Sequence, residues 1–199
     1  MSHSERTLDD SPGPAGSGRE SAETDIVRRV IIRDARPEEY AAVGELRVTA
    51  YRALGLLPAG SGYAETLRSM GFSGGDDVLV ATDEAGNGIL GTITLEGFAS
   101  ASELAKDDTE ADVRAFAVAP SAQGYGVGRK LLAAVIKRAE QRGLRRLRLC
   151  TRPQMEAAQH LYATVGFSRT PELDSSPVPE VTLRAYELAL PHTEQIGLL

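Results

Sequence analysis

The sequence predicts an α/β protein in which helices cover both faces of one mixed sheet. Three observations carry this expectation. Two apolar, strand-like segments, Val78–Thr82 and Ile89–Phe98, flank Asp83-Glu-Ala-Gly-Asn-Gly88, a composition that turns a chain back as a hairpin. A further alternation over Val113–Val118 runs through Pro120 into a glycine-rich turn and then into residues of helical period. The order of periodic segments along the chain is β–α–α–β–β–β–α–β–α–β–β, with 42% hydrophobic residues over 199 positions to build a core.

Residues 1–26, rich in Ser, Gly, Pro and acids, bury too little apolar surface to fold and read as a disordered polar tail. One domain is expected over 27–191, followed by a short tail at 192–199. Val27–Arg33 alternates as a first strand. Asp34-Ala-Arg-Pro37-Glu38-Glu39 opens a helix, with Pro in the first turn and acids favouring the dipole, and Tyr40, Val43 and Leu46 carry it to about Leu54. Gly55–Gly62 is a loop, and Tyr63–Met70 a short helix. After the hairpin, Ala99–Asp108 connects to a strand over Ala111–Val118. The helix Val127–Arg142 presents Val127, Leu131, Leu132, Val135, Ile136 and Ala139 on one side. Arg145–Cys150 is the next strand, and Met155–Phe167 contains the last helix. Phe167–Arg169 and Leu183–Leu190 are final strands, joined by Thr170–Val181, which three prolines mark as a loop.

The glycine turn points to a phosphorylated ligand. Gly124, Gly126 and Gly128 sit where backbone must bend sharply, and the helix behind them offers unpaired N–H groups and a positive dipole end. A P-loop needs Lys and then Ser or Thr after its last glycine, whereas Gly128 is followed by Arg129, Lys130 and Leu131. A dinucleotide fingerprint needs G-x-G-x-x-G and an acid at the next strand end, whereas the spacing is G-x-G-x-G and that strand ends in Thr151 and Arg152.

The segment Gln123-Gly-Tyr-Gly126-Val-Gly128 matches Q/R-x-x-G-x-G/A and resembles the pyrophosphate loop of the GCN5-related N-acetyltransferase (GNAT) family. Met155–Phe167, MEAAQHLYATVGF, is similar to that family's second signature, a helix ending L-Y-x-x-x-G-F. The resemblance covers roughly Val30 to Leu190 and is most specific from Asp112 to Phe167. It implies a mixed, mostly antiparallel central sheet with splayed central strands, acetyl-CoA as cosubstrate, and acetyl transfer to a primary amine of a small molecule or peptide in a ternary complex. The alternative is a non-catalytic acyl-CoA-binding or regulatory module on the same fold.

Roles follow from the matched positions. Phe116, Ala117 and Val118 would supply backbone groups to the pantetheine arm, with the Val118 N–H stabilising the oxyanion. Gln123, Gly124, Tyr125, Gly126, Val127, Gly128 and Arg129 would wrap the pyrophosphate. Tyr162 holds the place of a general acid for the CoA thiolate. Asp112, six residues before Val118, is a candidate base; strict alternation would put Asp112, Arg114, Phe116 and Val118 on one strand face. Pairing of Asp112 with Arg114 is the structural alternative, and Glu96 and Glu110 are further candidates. Met155 stands where many relatives carry an Asn that contacts the cofactor arm, so that contact is either lost or transferred to Gln154 or Gln159. The acceptor pocket would lie between Tyr51–Tyr63 and Thr170–Val181, the latter holding Glu172, Asp174 and Glu180.

Other classes are disfavoured. The formal net charge is −6, against general nucleic-acid binding, although arginines and lysines crowd from Arg129 to Arg152. No apolar run approaches the roughly 18 residues of a membrane span, and the N-terminus has no signal-peptide core, so a cytoplasmic location is expected. The single cysteine, Cys150, ends an apolar strand and reads as a buried, inert thiol. His3, His160 and His192 form no metal set, so no metal is expected. The sequence leaves the acceptor and the oligomeric state, including a homodimer, open.

Overall fold

A computed structural model describes residues 30–72, 74–84, 86, 88–98 and 102–191. The tails expected at 1–26 and 192–199 lie outside the described residues. Strands β1 (Ile31–Asp34), β2 (Asp77–Thr82), β3 (Ile89–Gly97), β4 (Glu110–Val118), β5 (Arg146–Thr151), β6 (Ser168–Arg169), β7 (Ser175–Val178) and β8 (Val181–Ala189) form one sheet. Its order is β1-β2-β3-β4-β5-β8-β6, with β7 paired to β8. Every pairing is antiparallel except β4 with β5. Parallel neighbours need a crossover, and helix α3 (Val127–Gln141) supplies it between β4 and β5.

The apolar stripe of α3 builds the main core. Leu131, Leu132 and Val135 are fully buried against Ile93 and Leu95 of β3, with Val113, Leu147 and Leu149 completing the layer. Helix α4 (Glu156–Thr164) adds Tyr162 to the same layer. The opposite face carries α1 (Tyr40–Ala53) and α2 (Tyr63–Ser69). These two helices touch at Gly44, where a Cβ would lie 2.9 Å from the Arg68 Cα and 2.9 Å from its carbonyl oxygen. From α1, Arg47 reaches through this layer to the sheet, donating to Thr94 Oγ1 at 2.9 Å and to the carbonyls of Leu67 and Met70.

One segment departs from the expected layout. Thr170–Val181, expected as a loop, forms a 3-10 turn at Pro171–Leu173 and then β7. β7 pairs with β8 through Ser175↔Leu183 and Val178↔Val181 and leaves Pro177 on the sheet margin, where a missing N–H is tolerated.

Two irregularities of β4 shape the centre of the sheet. Thr94 pairs with Arg114, but Thr92 pairs with Ala117, so β4 carries one extra residue against β3. Ala115 takes the extra step at φ 47, a left-handed conformation that costs an L-residue roughly 1–2 kcal/mol. The second irregularity is that β4 and β5 pair only from Glu110↔Arg146 to Asp112↔Arg148. Beyond that point Val113–Val118 has no strand partner on its β5 side among the described residues, while β5 stays with β8 as far as Thr151↔Arg184. The central strands splay, as the resemblance implies.

Candidate active site

The bulge decides which way the free end of β4 presents its groups. Arg114 lies on the α1 face, opposite Thr94. Phe116 and Val118 lie on the α3 face, because a Cβ on Gly128 of α3 would meet Phe116 Cζ at 3.2 Å and Val118 Cγ2 at 3.6 Å. The expectation that Asp112, Arg114, Phe116 and Val118 share one face is therefore corrected: the extra residue at Ala115 reverses the alternation. The backbone follows the same logic. Ala119 N donates to Leu90 O at 2.9 Å, toward β3, so Ala117 also faces β3. The N–H groups of Phe116 and Val118 then point into the opening toward β5, where no strand pairs.

The glycine loop closes one end of that opening. A 3-10 turn at Pro120–Ala122 leads to an extended Gln123, whose side-chain amide donates to Val118 O at 3.2 Å. Gly124 and Gly126 have φ of 84° and 74°, and Gly126 is the N-cap of α3 without any side-chain cap. No acidic residue stands in the first turn, so the N–H groups of Val127, Gly128 and Arg129 keep their donor capacity at the positive dipole end. Tyr125 is half-buried in this loop and Arg129 is exposed beside it.

Tyr162 approaches from α4. It is 4% exposed, with its ring centroid 6.3 Å from Phe116, 6.0 Å from Phe167 and 6.0 Å from Tyr186. These aromatics fix the ring beside the free end of β4. Its hydroxyl makes no hydrogen bond among the described residues. Burial pushes the phenol well above its ordinary value of 10, and the phenols of Tyr51 and Tyr186 add to the shift. Tyr51 belongs to α1 and packs against the cluster of Val48, Leu57, Ala64 and Leu67. Tyr51 is itself raised, by burial first and then by Tyr63.

The carboxylates near β4 are committed. Asp112 is 1% exposed, and its Oδ2 accepts from Ser102 Oγ at 2.7 Å and from the backbone N–H of Glu103 and Leu104 at 2.9 Å each. That geometry anchors the β3–β4 loop to the sheet through Oδ2, while Oδ1 is buried without a hydrogen-bond partner among the described residues. The alternative of a direct Arg114 pair does not form: Arg114 bonds Glu96 at 3.1 Å and Glu103 at 2.9 Å. Glu110 pairs with Arg148 and accepts from Lys106 N. Burial raises the Glu96 carboxyl, with Arg114 pulling it back.

The remaining candidates are placed as follows. Thr151 Oγ1 contacts Met155 Sδ at 3.3 Å. Gln159 bonds the carbonyls of Arg152 and Pro153 and accepts from Tyr186 Oη, so its amide is used in holding the β5–α4 loop. Asp174 is pulled down to about 2 by the Arg169 guanidinium and the Ala185 N–H, so it answers a charge already present. Burial pushes the Cys150 thiol up to about 11. No cluster of metal-ligating residues occurs among the described residues, and no described helix is long and apolar enough to cross a membrane. Sequence reasoning missed Ala115, because an alanine at positive φ carries no compositional mark.

Comparison with known proteins agrees with this geometry. The chain matches the model of the acetyltransferase (GNAT) family over residues 60–167, more than half its length. No curated protein matches it in sequence. Among solved structures it is similar to a GCN5-related N-acetyltransferase from Kribbella flavida, with 24% identity, TM-score 0.64, and coverage of 82% of this chain and 99% of that one. It is also similar to yncA of Salmonella typhimurium, solved with its cofactor acetyl-CoA, at 20% identity, TM-score 0.61 and coverage of 86% and 99%. The ribosomal-protein-S18-alanine N-acetyltransferase of Escherichia coli shares 22% identity at TM-score 0.60, covering 85% and 99%. A splayed sheet, a glycine loop opening α3 and a family match spanning both mark one conclusion: the chain belongs to the acetyltransferase (GNAT) family.

Proposed function

We propose that this chain transfers the acetyl group of acetyl-CoA to a primary amine by direct attack in a ternary complex. The observation that carries the reading is the unpaired edge of β4 beyond Asp112, facing an uncapped helix start. The pyrophosphate would rest on Gln123–Arg129, with Gly124 and Gly126 allowing close approach and Arg129 adding charge. The pantetheine arm would pair with the free groups of Phe116 and Val118 as an added strand, leaving Ala117 bonded to β3. Gln159 is occupied elsewhere, which leaves this backbone pairing as the principal hold on the arm where Met155 replaces Asn.

The Val118 N–H would then face the thioester carbonyl. The amine nitrogen attacks the carbonyl carbon, a C–N bond forms, and negative charge on the oxygen is met by that N–H. Collapse breaks the C–S bond, and the Tyr162 hydroxyl, unbonded within the protein, donates to the departing thiolate. A phenol raised by burial stays protonated throughout the neutral range, as a donor must. With Asp112 engaged by the β3–β4 loop, the proton lost by the amine passes to water. A thiol raised to about 11 is a poor nucleophile, which favours direct transfer over an acetyl-cysteine intermediate. A cytoplasmic location is part of the same proposal.

The test is release of CoA thiol from acetyl-CoA with a panel of primary amines. Amine-dependent release with stoichiometric acetylated product supports transfer. Binding of acetyl-CoA without release for any amine supports the non-catalytic module.

A further inference from the structure

Tyr186 of β8 joins three separate parts of the molecule. It lies opposite Leu149 of β5 and Arg169 of β6, in the core layer built on α3, and is 6% exposed. The Arg169 guanidinium sits over its ring at 5.0 Å and is held in turn by Asp174 as a bidentate pair. The ring centroid lies 6.0 Å from that of Tyr162 on α4. Strand register, cation and aromatic neighbour together fix the direction of the phenol. Its hydroxyl donates to Gln159 Oε1 at 3.0 Å, and the Arg184 guanidinium reaches the same oxygen at 3.4 Å. The Gln159 amide nitrogen donates to the carbonyls of Arg152 and Pro153, at 3.1 and 2.8 Å. Both donors and both lone pairs of this amide are therefore engaged, which gives it a single orientation.

The chain that Gln159 holds is Arg152–Met155, and its place follows from the register of the sheet. Parallel strands advance together, so counting on from Asp112↔Arg148, with the extra residue at Ala115, brings Arg152 level with Ala117. The loop thus continues β5 as the wall opposite the free N–H groups of Phe116 and Val118. We propose that Tyr186 is a positioning residue for acetyl-CoA: through Gln159, its hydroxyl holds this wall where the pantetheine arm is received. The inference rests on the acetyltransferase reading, and it names a residue outside both signature segments. Without the Tyr186 bond the amide is free to turn and the two carbonyls lose their donors. The ligand must then order the loop as it binds, and affinity falls.

The experiment measures binding of acetyl-CoA by calorimetry, beside 3′-phosphoadenosine 5′-diphosphate, the nucleotide without the arm. Tyr186→Phe keeps the ring and its contacts, so the free protein should unfold within roughly 2–4 °C of the wild type. Its Kd for acetyl-CoA should rise about three- to tenfold, the scale of one hydrogen bond, while the nucleotide's Kd stays within about twofold. Gln159→Leu should raise the acetyl-CoA Kd at least as much, and adding Tyr186→Phe to it should change little further. An unchanged acetyl-CoA Kd in Tyr186→Phe would overturn the inference and leave the acetyltransferase reading intact. Equal weakening of both ligands, the mark of a generally loosened fold, would also overturn it. So would a full effect of Tyr186→Phe in the Gln159→Leu background. No binding of acetyl-CoA by the wild type would strike the reading and the inference together.

Discussion

Replacing Tyr162 by Phe separates chemistry from packing, because the structure assigns the ring and the hydroxyl different work. The ring holds centroid contacts of 6.0 to 6.3 Å with three aromatics, and phenylalanine keeps them all. The hydroxyl has no hydrogen bond among the described residues, so its loss strands no donor or acceptor, and stability should change by less than about 1 kcal/mol. At this chain length that is a midpoint shift within roughly 2–4 °C. The rate should respond on another scale. Losing a general acid lowers kcat by roughly 10²–10⁴, or about 2.7–5.4 kcal/mol in barrier. Tyr162→Ala should add a structural loss of about 3–5 kcal/mol as the cluster opens. The assay is thiol release at saturating acetyl-CoA, beside thermal unfolding of each variant. The phenol's value in the folded protein is raised above 10, so the protonated form stabilises the fold at lower pH and that contribution is lost as pH rises past 10. Between pH 7 and 9.5, Tyr162 should therefore impose no alkaline limb on kcat. A folded Tyr162→Phe protein with wild-type kcat would refute the reasoning and return Tyr162 to a packing role.

Asp112→Asn keeps an oxygen for Ser102 Oγ and the two backbone donors but removes the charge, so kcat should stay within about threefold and its pH profile unchanged; a collapse of kcat with an altered profile would restore the base role. Gly44→Ala forces a methyl to 2.9 Å from the Arg68 backbone, and chemical denaturation should show a loss of roughly 1–3 kcal/mol from separating α1 and α2. Glu39 and Asp174 are each pulled down to about 2 by an arginine, Arg33 and Arg169 respectively. Carboxylates lowered in this way stabilise the fold above pH 4–4.5 and lose that effect as pH falls toward 2. Acid titration of the unfolding midpoint should therefore decline across that window, and less steeply in Glu39→Gln and Asp174→Asn.

The segments that sequence reads well are those whose period and punctuation agree with their final place. The helix from Val127, the hairpin around Asp83–Gly88 and the strand through Cys150 are located to within a residue or two, because glycine turns and apolar spacing act locally. The splay of β4 from β5 came only through the resemblance carried by Gln123–Gly128 and Met155–Phe167. What stayed hidden was non-local or lacked a side-chain signature. The bulge at Ala115 is set by register against β3, and one extra residue there moves Phe116 and Val118 to the opposite face from Asp112 and Arg114. The anchoring of Asp112 depends on Ser102, ten positions away across a loop. β7 was masked by Pro177, which an edge position accepts.

The central claim is that the opening between β4 and β5, with the glycine loop at its end, holds acetyl-CoA. Thermal unfolding with acetyl-CoA, against NAD and ATP as phosphate-bearing controls, tests it most directly. Ligand at 100 times its dissociation constant should add about 2.7 kcal/mol of stability, a midpoint rise of roughly 5–10 °C, with little change from either control. No rise at millimolar acetyl-CoA, or an equal rise with ATP, would contradict the account.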